Sequence, residues 1–230
     1  MSEPVQLVSE TAATPMLRQY QEAKAQAKDA LLLFRLGDFY ELFYEDARLA
    51  AQLLGIALTS RAKGDERIPM AGVPYHAAKA YVGKLVGAGY KVALCDQVEV
   101  PGPGKQLVRR EIVRLVTPGT LFDDDDAREP VWLGAMIVER DRAALALLDA
   151  STGELRSLQP GNFESILDEL QRARPRELLV AEELLGTPPA EAARRASGAV
   201  RLEGRALRAP GEAQRFLQRH LGVATLDGFG

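Results

Sequence analysis

Between Gly37 and Asp46 the chain reads GDFYELFYED, and its acids and rings are the first candidates for chemistry. Asp38 followed three residues later by Glu41 has capping-box spacing, in which one carboxylate accepts from a new helix and the other reaches back to the cap. That reading starts a helix near Phe39 and asks nothing more of Glu41. Phe39 precedes Leu42 and Phe43 by three and four positions, which suits a buried helical stripe. Yet Phe39, Tyr40, Phe43 and Tyr44 ring the first turns, and one stripe about 100° wide cannot bury them all. At least one ring is expected to reach solvent.

Other constellations invite chemistry too. Gly102-Pro103-Gly104-Lys105 suggests a phosphate loop, but a Walker loop needs a glycine where Glu99 stands and a hydroxyl where Gln106 stands. An ATP site is rejected and a turn preferred. Asp149 and Glu154 would interest a metal-dependent nuclease, which needs several acids converging on two ions about 4 Å apart. DASTG (149–153) is instead a good hairpin turn, with Asp at its start and Gly at its end. His76 and His220 are the only histidines and fall in different halves, so neither a metal pair nor a triad can be assembled. Basic residues gather in two places, Arg61, Lys63 and Arg67 in one loop and Lys105, Arg109 and Arg110 around another. Two basic loops beside an exposed aromatic favour phosphate contacts.

The elements that must position these residues alternate clearly. Thr14 caps a helix with Pro15 at its first position. A strand (30–36) and the helix from about Phe39 to Leu54 follow, the latter with Leu42, Phe43, Ala47, Ala50, Leu53 and Leu54 on one face. Next come a short strand (56–60), a loop (61–74), a helix stopped by Gly87 and Gly89, and strands over 90–98 and 107–116. LFDDDDAREP (121–130) repels itself and reads as a linker. Beyond it three close-spaced strands (131–158) form a meander, and helix and strand then alternate to a final helix, PGEAQRFLQRHL. Three antiparallel strands followed by αβα units predict a ribonuclease H-like mixed sheet. The expected organisation is two α/β domains: a tail (1–13), a mixed-sheet domain (14–120), the acidic linker and a second domain (131–230).

Totals set the limits. The 230 residues are 47% hydrophobic and 27% charged, enough for a sizeable core in one large or two small domains. Net charge is −3, with +2 over residues 1–122 and −5 over the rest, so the first half is the one suited to a polyanion. The N-terminus has neither the basic region nor the apolar core of a signal peptide, and no run suits a spanning helix. With Cys95 the only cysteine, neither an intrachain disulfide nor a cysteine-rich zinc site can form, and a cytoplasmic location is the default.

TPMLRQYQEAK, LLLFRLGDFYELFYEDARLAAQLLGIALTSR, IPMAGVPYHAAKAYVGKLVGAGYKVALCDQVE and VRREIVRLVTPGT resemble the start of the bacterial MutS family of DNA mismatch-recognition proteins. The likeness is strongest over 14–121; the second half, with LDASTGEL and a closing LDGFG, resembles the family's connector domain. The resemblance implies a Phe-x-Glu mismatch reader at Phe39 and Glu41, the ring stacking on a mispaired base from the minor groove and the carboxylate hydrogen-bonding it. It further implies Arg61 and Arg110 near phosphates, with Met70 and His76 close to the pocket. The implied partners are double-stranded DNA with mismatches or small loops, MutL, and a second MutS copy, with no membrane. A partner contact maps to the last helix, where this chain carries Arg215-Phe216 in place of an amide pair. The resemblance also makes the chain an N-terminal fragment, a non-enzyme with no cofactor of its own. ATP and Mg²⁺ would belong to the missing ATPase, beyond a lever and a clamp, and the location would be cytoplasmic and nucleoid-associated. The competing readings are a protein-interaction module that docks MutL without binding DNA, and the nuclease.

Overall fold

The structure, a computed structural model, describes residues 14–63, 66–99, 108–121, 130–140 and 142–229. The expected tail, the GPGK loop with Lys105, and nearly all of the acidic linker lie outside the described residues. The chain divides into two compact units, Met1–Val131 and Trp132–Gly230.

In the first unit, α1 (Pro15–Ala27) begins where the Thr14 hydroxyl accepts from Leu17 N. Six strands follow: β1 (Leu31–Leu36), β2 (Phe39–Phe43), β3 (Thr59–Lys63), β4 (Glu66–Pro74), β5 (Val92–Gln97) and β6 (Arg110–Val116). They form one sheet in the order β3-β4-β2-β1-β5-β6, in which only β1 and β5 run parallel. The helices α2 (Tyr44–Leu54) and α3 (Ala78–Gly87) cover one face, over a core that includes Leu33, Tyr40, Leu42, Val73 and Leu85. The other face packs against α1 through Tyr20, Leu32, Phe34, Phe43 and Cys95.

Residues 37 to 43 correct the expected helix start. Gly37 and Asp38 are the two-residue turn of a hairpin, Gly37 taking the left-handed φ of +59° that such a turn needs, and Leu36 faces Phe39 across it. Leu42 and Phe43 are both fully buried, but on opposite faces of the sheet, which a strand achieves and a one-sided helix does not. The helix begins only at Tyr44, and no capping box exists. Its N-cap, Phe43, has no side-chain cap; instead the Tyr20 hydroxyl donates to Phe43 O at 3.4 Å and accepts from Phe43 N at 3.3 Å. Tyr20 thus ends the strand from outside it. Burial, and next the nearby Asp46 carboxylate, push the Tyr20 hydroxyl far above its ordinary pKa, so it keeps its proton for that bond. The expected buried face also fails at Leu53, which is 38% exposed.

The expected loop at 61–74 is a second correction, since most of it is β3 and β4. The breakers are tolerated individually: Pro69 faces Ser60 of the edge strand β3, and Gly72 faces Glu41.

The second unit is the expected mixed sheet of ribonuclease H-like type. β7 (Trp132–Glu139), β8 (Arg142–Asp149) and β9 (Leu155–Asn162) form an antiparallel meander, and β10 (Glu177–Ala181) and β11 (Arg201–Arg205) run parallel to β7 in the order β11-β10-β7-β8-β9. α4 (Phe163–Ala173) and α5 (Pro188–Ser197) pack on each other, and α4 on β8 and β9. Their core includes Trp132, Met136, Leu145, Ile166, Leu170 and Leu178. α6 (Pro210–Leu221) buries none of its residues.

Candidate functional site

Strand alternation along β2 sends Tyr40 and Leu42 to the α2/α3 face and leaves Phe39, Glu41 and Phe43 on the α1 face. Phe43 is sealed under α1. α1 itself lies on β1 and β6, and toward β3 the same face carries the exposed residues Phe39, Gly72 and Arg61. Phe39 is 46% exposed, so one ring of the four does reach solvent. It stands at the hairpin end of the sheet, between Leu36 of β1 and Pro74 of β4.

Gly72 shapes this spot. It faces Glu41 across β2 and β4, and a Cβ built there would lie 3.7 Å from both the Glu41 Cγ and the Phe39 Cδ1. Ring and carboxylate stem therefore lean together across a strand position with no side chain. Leu42, next along β2, faces Ala71, while Met70 pairs with Phe43 and packs against the α1-side core beneath the site. An isolated glycine in an otherwise apolar stretch, IPMAGVP, is the sequence signal for this close approach.

Glu41 is half-buried, and its Oε2 is buried with no hydrogen-bond partner. Burial raises its pKa above the ordinary carboxylate value, against the opposing pull of the Arg61 guanidinium. Arg61 sits exposed on β3, opposite Ile68. A half-buried carboxyl with an unused oxygen beside an exposed ring can accept a hydrogen bond when ionised or donate one when protonated.

The remaining candidates separate. His76 is exposed in the short 3-10 turn Tyr75–Ala77 that follows Pro74, hence near the hairpin end. Arg110 is half-buried and engaged within the unit: Nε donates to Arg35 O at 2.6 Å and Nη1 to Gln19 Oε1 at 3.0 Å and Val108 O at 2.9 Å. Its guanidinium lies 5.1 Å from the Phe34 ring centre. In the second unit, Arg215 and Phe216 are both exposed on α6, Phe216 at 42% with Arg208 over its ring and His220 stacked beside it. Asp149 is the expected turn residue: its Oδ1 accepts from Ser151 N at 2.9 Å and Ser151 Oγ at 2.7 Å. Those Ser151 bonds hold its pKa below the ordinary carboxylate value. Glu154 pairs with Arg156. Among the described residues no three His, Cys, Asp or Glu side chains come together as a metal site.

Both units have counterparts among known families. Residues 14–125 match the family model for MutS domain I and residues 132–230 that for MutS domain II. The chain belongs to the MutS family and carries these two domains. Among its relatives, the DNA mismatch repair protein MutS of Anaeromyxobacter sp. (strain K) is 53% identical over 221 residues, covering 95% of this chain and 25% of that protein. The protein of the same name from Myxococcus xanthus is 45% identical over 224 residues, covering 94% and 25%. The chain thus spans about a quarter of the length of the relatives it matches. A family B DNA polymerase from Pyrobaculum calidifontis is 13% identical with a TM-score of 0.21, covering 72% of this chain and 28% of that one, and carries no argument. No helix of the described residues is long and apolar enough to cross a membrane.

Proposed function

We propose that this chain is the part of a longer DNA mismatch repair protein that meets the mispair, with Phe39 as the wedge and Glu41 as its polar partner. The observation that carries this reading is the exposed Phe39 ring beside the half-buried Glu41 on one sheet face, across the side-chain gap at Gly72. Domain 14–120 would hold the reader and 131–230 the connector. ATP and Mg²⁺ would act elsewhere in the longer protein, and this part would do no covalent chemistry.

The physics is a difference between two duplexes. An aromatic ring stacked on a base contributes about 1–3 kcal/mol whatever the base. Opening a base step for the wedge costs a few kcal/mol, and bending the duplex adds more. On paired DNA these terms roughly offset one another. A mismatched step is already loosened and costs less to open. Selectivity therefore resides mostly in the deformability of the DNA, and Phe39 probes it. Arg61, exposed within reach of the Glu41 charge, and His76, exposed two residues beyond Pro74, suit phosphate contacts, and Met70 supports the pocket from below. Arg110, with its internal bonds, would serve the DNA by fixing the strand ends.

Glu41 has an electrostatic difficulty beside phosphates unless it holds a proton. Nearby negative charge adds to the upward pull of burial, so bound DNA favours the protonated carboxyl, which donates to a base nitrogen. Glu41→Gln, which donates without charge, is expected to bind a mismatched duplex as tightly as the parent or tighter. The parent's mismatch affinity should fall as pH rises through the raised Glu41 pKa, while the Gln variant stays flat. Stability follows the same sign. A carboxyl whose pKa is higher folded than unfolded binds more protons in the folded state, so stability falls as pH rises from the ordinary carboxylate range through the raised value. Denaturant titrations of both proteins across that range should show a steeper fall in the parent than in the Gln variant. A large uniform loss of affinity in the Gln variant would refute proton donation.

The chain alone, without a clamp or a second copy, should bind DNA weakly and with strong salt dependence. Titrating labelled mismatched and paired duplexes at two salt concentrations tests this, and submicromolar salt-insensitive binding would contradict it.

A second role draws on α6, which buries no residue and exposes Phe216 beside Arg215. These two would contact MutL. Capture of purified MutL by residues 130–230, lost in Phe216→Ala, is the expected result.

A further inference from the structure

The turn that presents Phe39 is gripped from the opposite face of the sheet. Arg35 faces Tyr40 across β1 and β2, and Tyr75 lies two residues beyond Val73, the partner of Tyr40 on β4. Arg35, Tyr40 and Tyr75 thus meet on the α2/α3 face, at the hairpin end. The Arg35 guanidinium carbon lies 3.3 Å from the centre of the Tyr75 ring and 5.6 Å from that of Tyr40. The two rings are 5.8 Å apart.

The same two residues hold both carbonyls of the turn. Arg35 Nε donates to Gly37 O, and Tyr75 N donates to Asp38 O at 2.8 Å. Arg35 is itself fixed, since its own carbonyl accepts from Arg110 Nε. Tyr40 is fixed too, its hydroxyl donating to Asp96 Oδ2 at 2.9 Å across the sheet. Burial, and next that bond to Asp96, push the Tyr40 hydroxyl well above its ordinary pKa, so the tie is stable at any physiological pH.

Burial does not account for the stack, because Tyr75 is 49% exposed. A flat guanidinium on a ring is an arrangement that lysine, a point charge on a flexible stem, does not reproduce. We propose that Arg35 and Tyr75 are positioning residues for mismatch sensing: their stacked pair locks the Gly37–Asp38 turn and so sets the direction in which Phe39 points. A wedge that gives way under load would report little about the duplex it enters. A locked one forces the duplex to take the deformation, and that is where mismatched and paired DNA differ. The inference rests on the role proposed above for Phe39.

The test places 4-fluorophenylalanine at position 39 of this chain and follows its ¹⁹F resonance, with far-UV circular dichroism as the check on folding. Tyr75→Phe keeps ring and backbone donor and should leave the resonance in place. Tyr75→Ala and Arg35→Ala should shift it toward its unfolded position and narrow it, and an unmoved resonance in both overturns the proposal. Should either alanine variant fail to fold, Arg35→Lys, which keeps stem and charge, must still move the resonance, or the proposal falls. In the full-length protein Arg35→Lys should lower the mismatched-over-paired affinity ratio about fivefold while paired-duplex affinity stays within about twofold. Tyr75→Phe should keep the parent ratio. A shifted resonance with an unchanged ratio also overturns the positioning role. If the unsubstituted protein shows no mismatch preference, the role of Phe39 has failed, and the resonance still decides whether the turn is locked.

Discussion

Phe39→Ala in the full-length protein should bring the affinities for mismatched and paired duplex together. Removing the ring removes a stack of about 1–3 kcal/mol, which corresponds to between about fivefold and about 150-fold in the mismatched complex. The paired complex should lose far less, because there the stack is offset by the cost of opening a sound base step. The folded state should hardly notice. The ring is 46% exposed, stands at a hairpin end and belongs to neither core, so denaturation midpoints of the two proteins should nearly coincide. That contrast separates a reader from a packing residue. Competition binding with two duplexes that differ at one base pair measures it directly, and a preference that survives in the alanine variant refutes the wedge. Phe39→Tyr, which keeps the π face, should retain most of it.

How legible this site was in the sequence depends on which physical signal each residue gives. The crowding of four rings in GDFYELFYED leads to an exposed one, and Phe39 is exposed, but for a different reason: the helical stripe is absent, and Phe39 stands at the hairpin end of a strand whose next residues are buried on both faces. The secondary structure is not legible there. Asp38 and Glu41 have the spacing of a helix cap, and the hairpin that overrides it depends on partners distant in sequence: Tyr20 on the Phe43 backbone, Gly72 across from Glu41, and Tyr75 N on Asp38 O. The end of β3 and all of β4 fall in the expected loop (61–74) for the same reason, since Pro69, Gly72 and Pro74 are breakers locally and harmless in a particular register. The second unit read more truly. The meander alternates cleanly over β8, and Asn162 caps α4 by accepting from Ser165 N at 2.8 Å, both local signals. Arg35 and Tyr75 were invisible: an arginine ending an apolar strand and a tyrosine before a helix acquire their roles only by meeting.

The other large effect expected is on stability, at Asp46. This aspartate lies in the first turn of α2 with its side chain 10% exposed, and it joins three elements. Its Oδ2 accepts from Leu32 N of β1 at 3.0 Å, and the carboxylate meets the Lys24 ammonium of α1 at 2.8 Å. Lys24 in turn donates to Ala30 O at 2.7 Å, at the entry to β1. Asp46→Ala removes the carboxylate paired with Lys24 and leaves a buried backbone N–H without its acceptor. Breaking a buried pair from one side costs about 3–5 kcal/mol, and the partial exposure of Lys24 places this case near the lower end, about 3 kcal/mol. Asp46→Asn still offers an oxygen to Leu32 N and should lose about half as much. Adding Lys24→Met to Asp46→Ala should recover part of the loss by removing the stranded ammonium, but not all of it, because Leu32 N stays unpaired. Urea denaturation at neutral pH reads all three, and a loss below about 1 kcal/mol for Asp46→Ala would mean that solvent already satisfies these groups. Lys24 and Asp46 help seat α1 over β1, so a protein weakened here should lose mismatched and paired DNA binding together, in proportion to the fraction unfolded. Phe39→Ala, with its fold intact and only its preference gone, should show the opposite pattern.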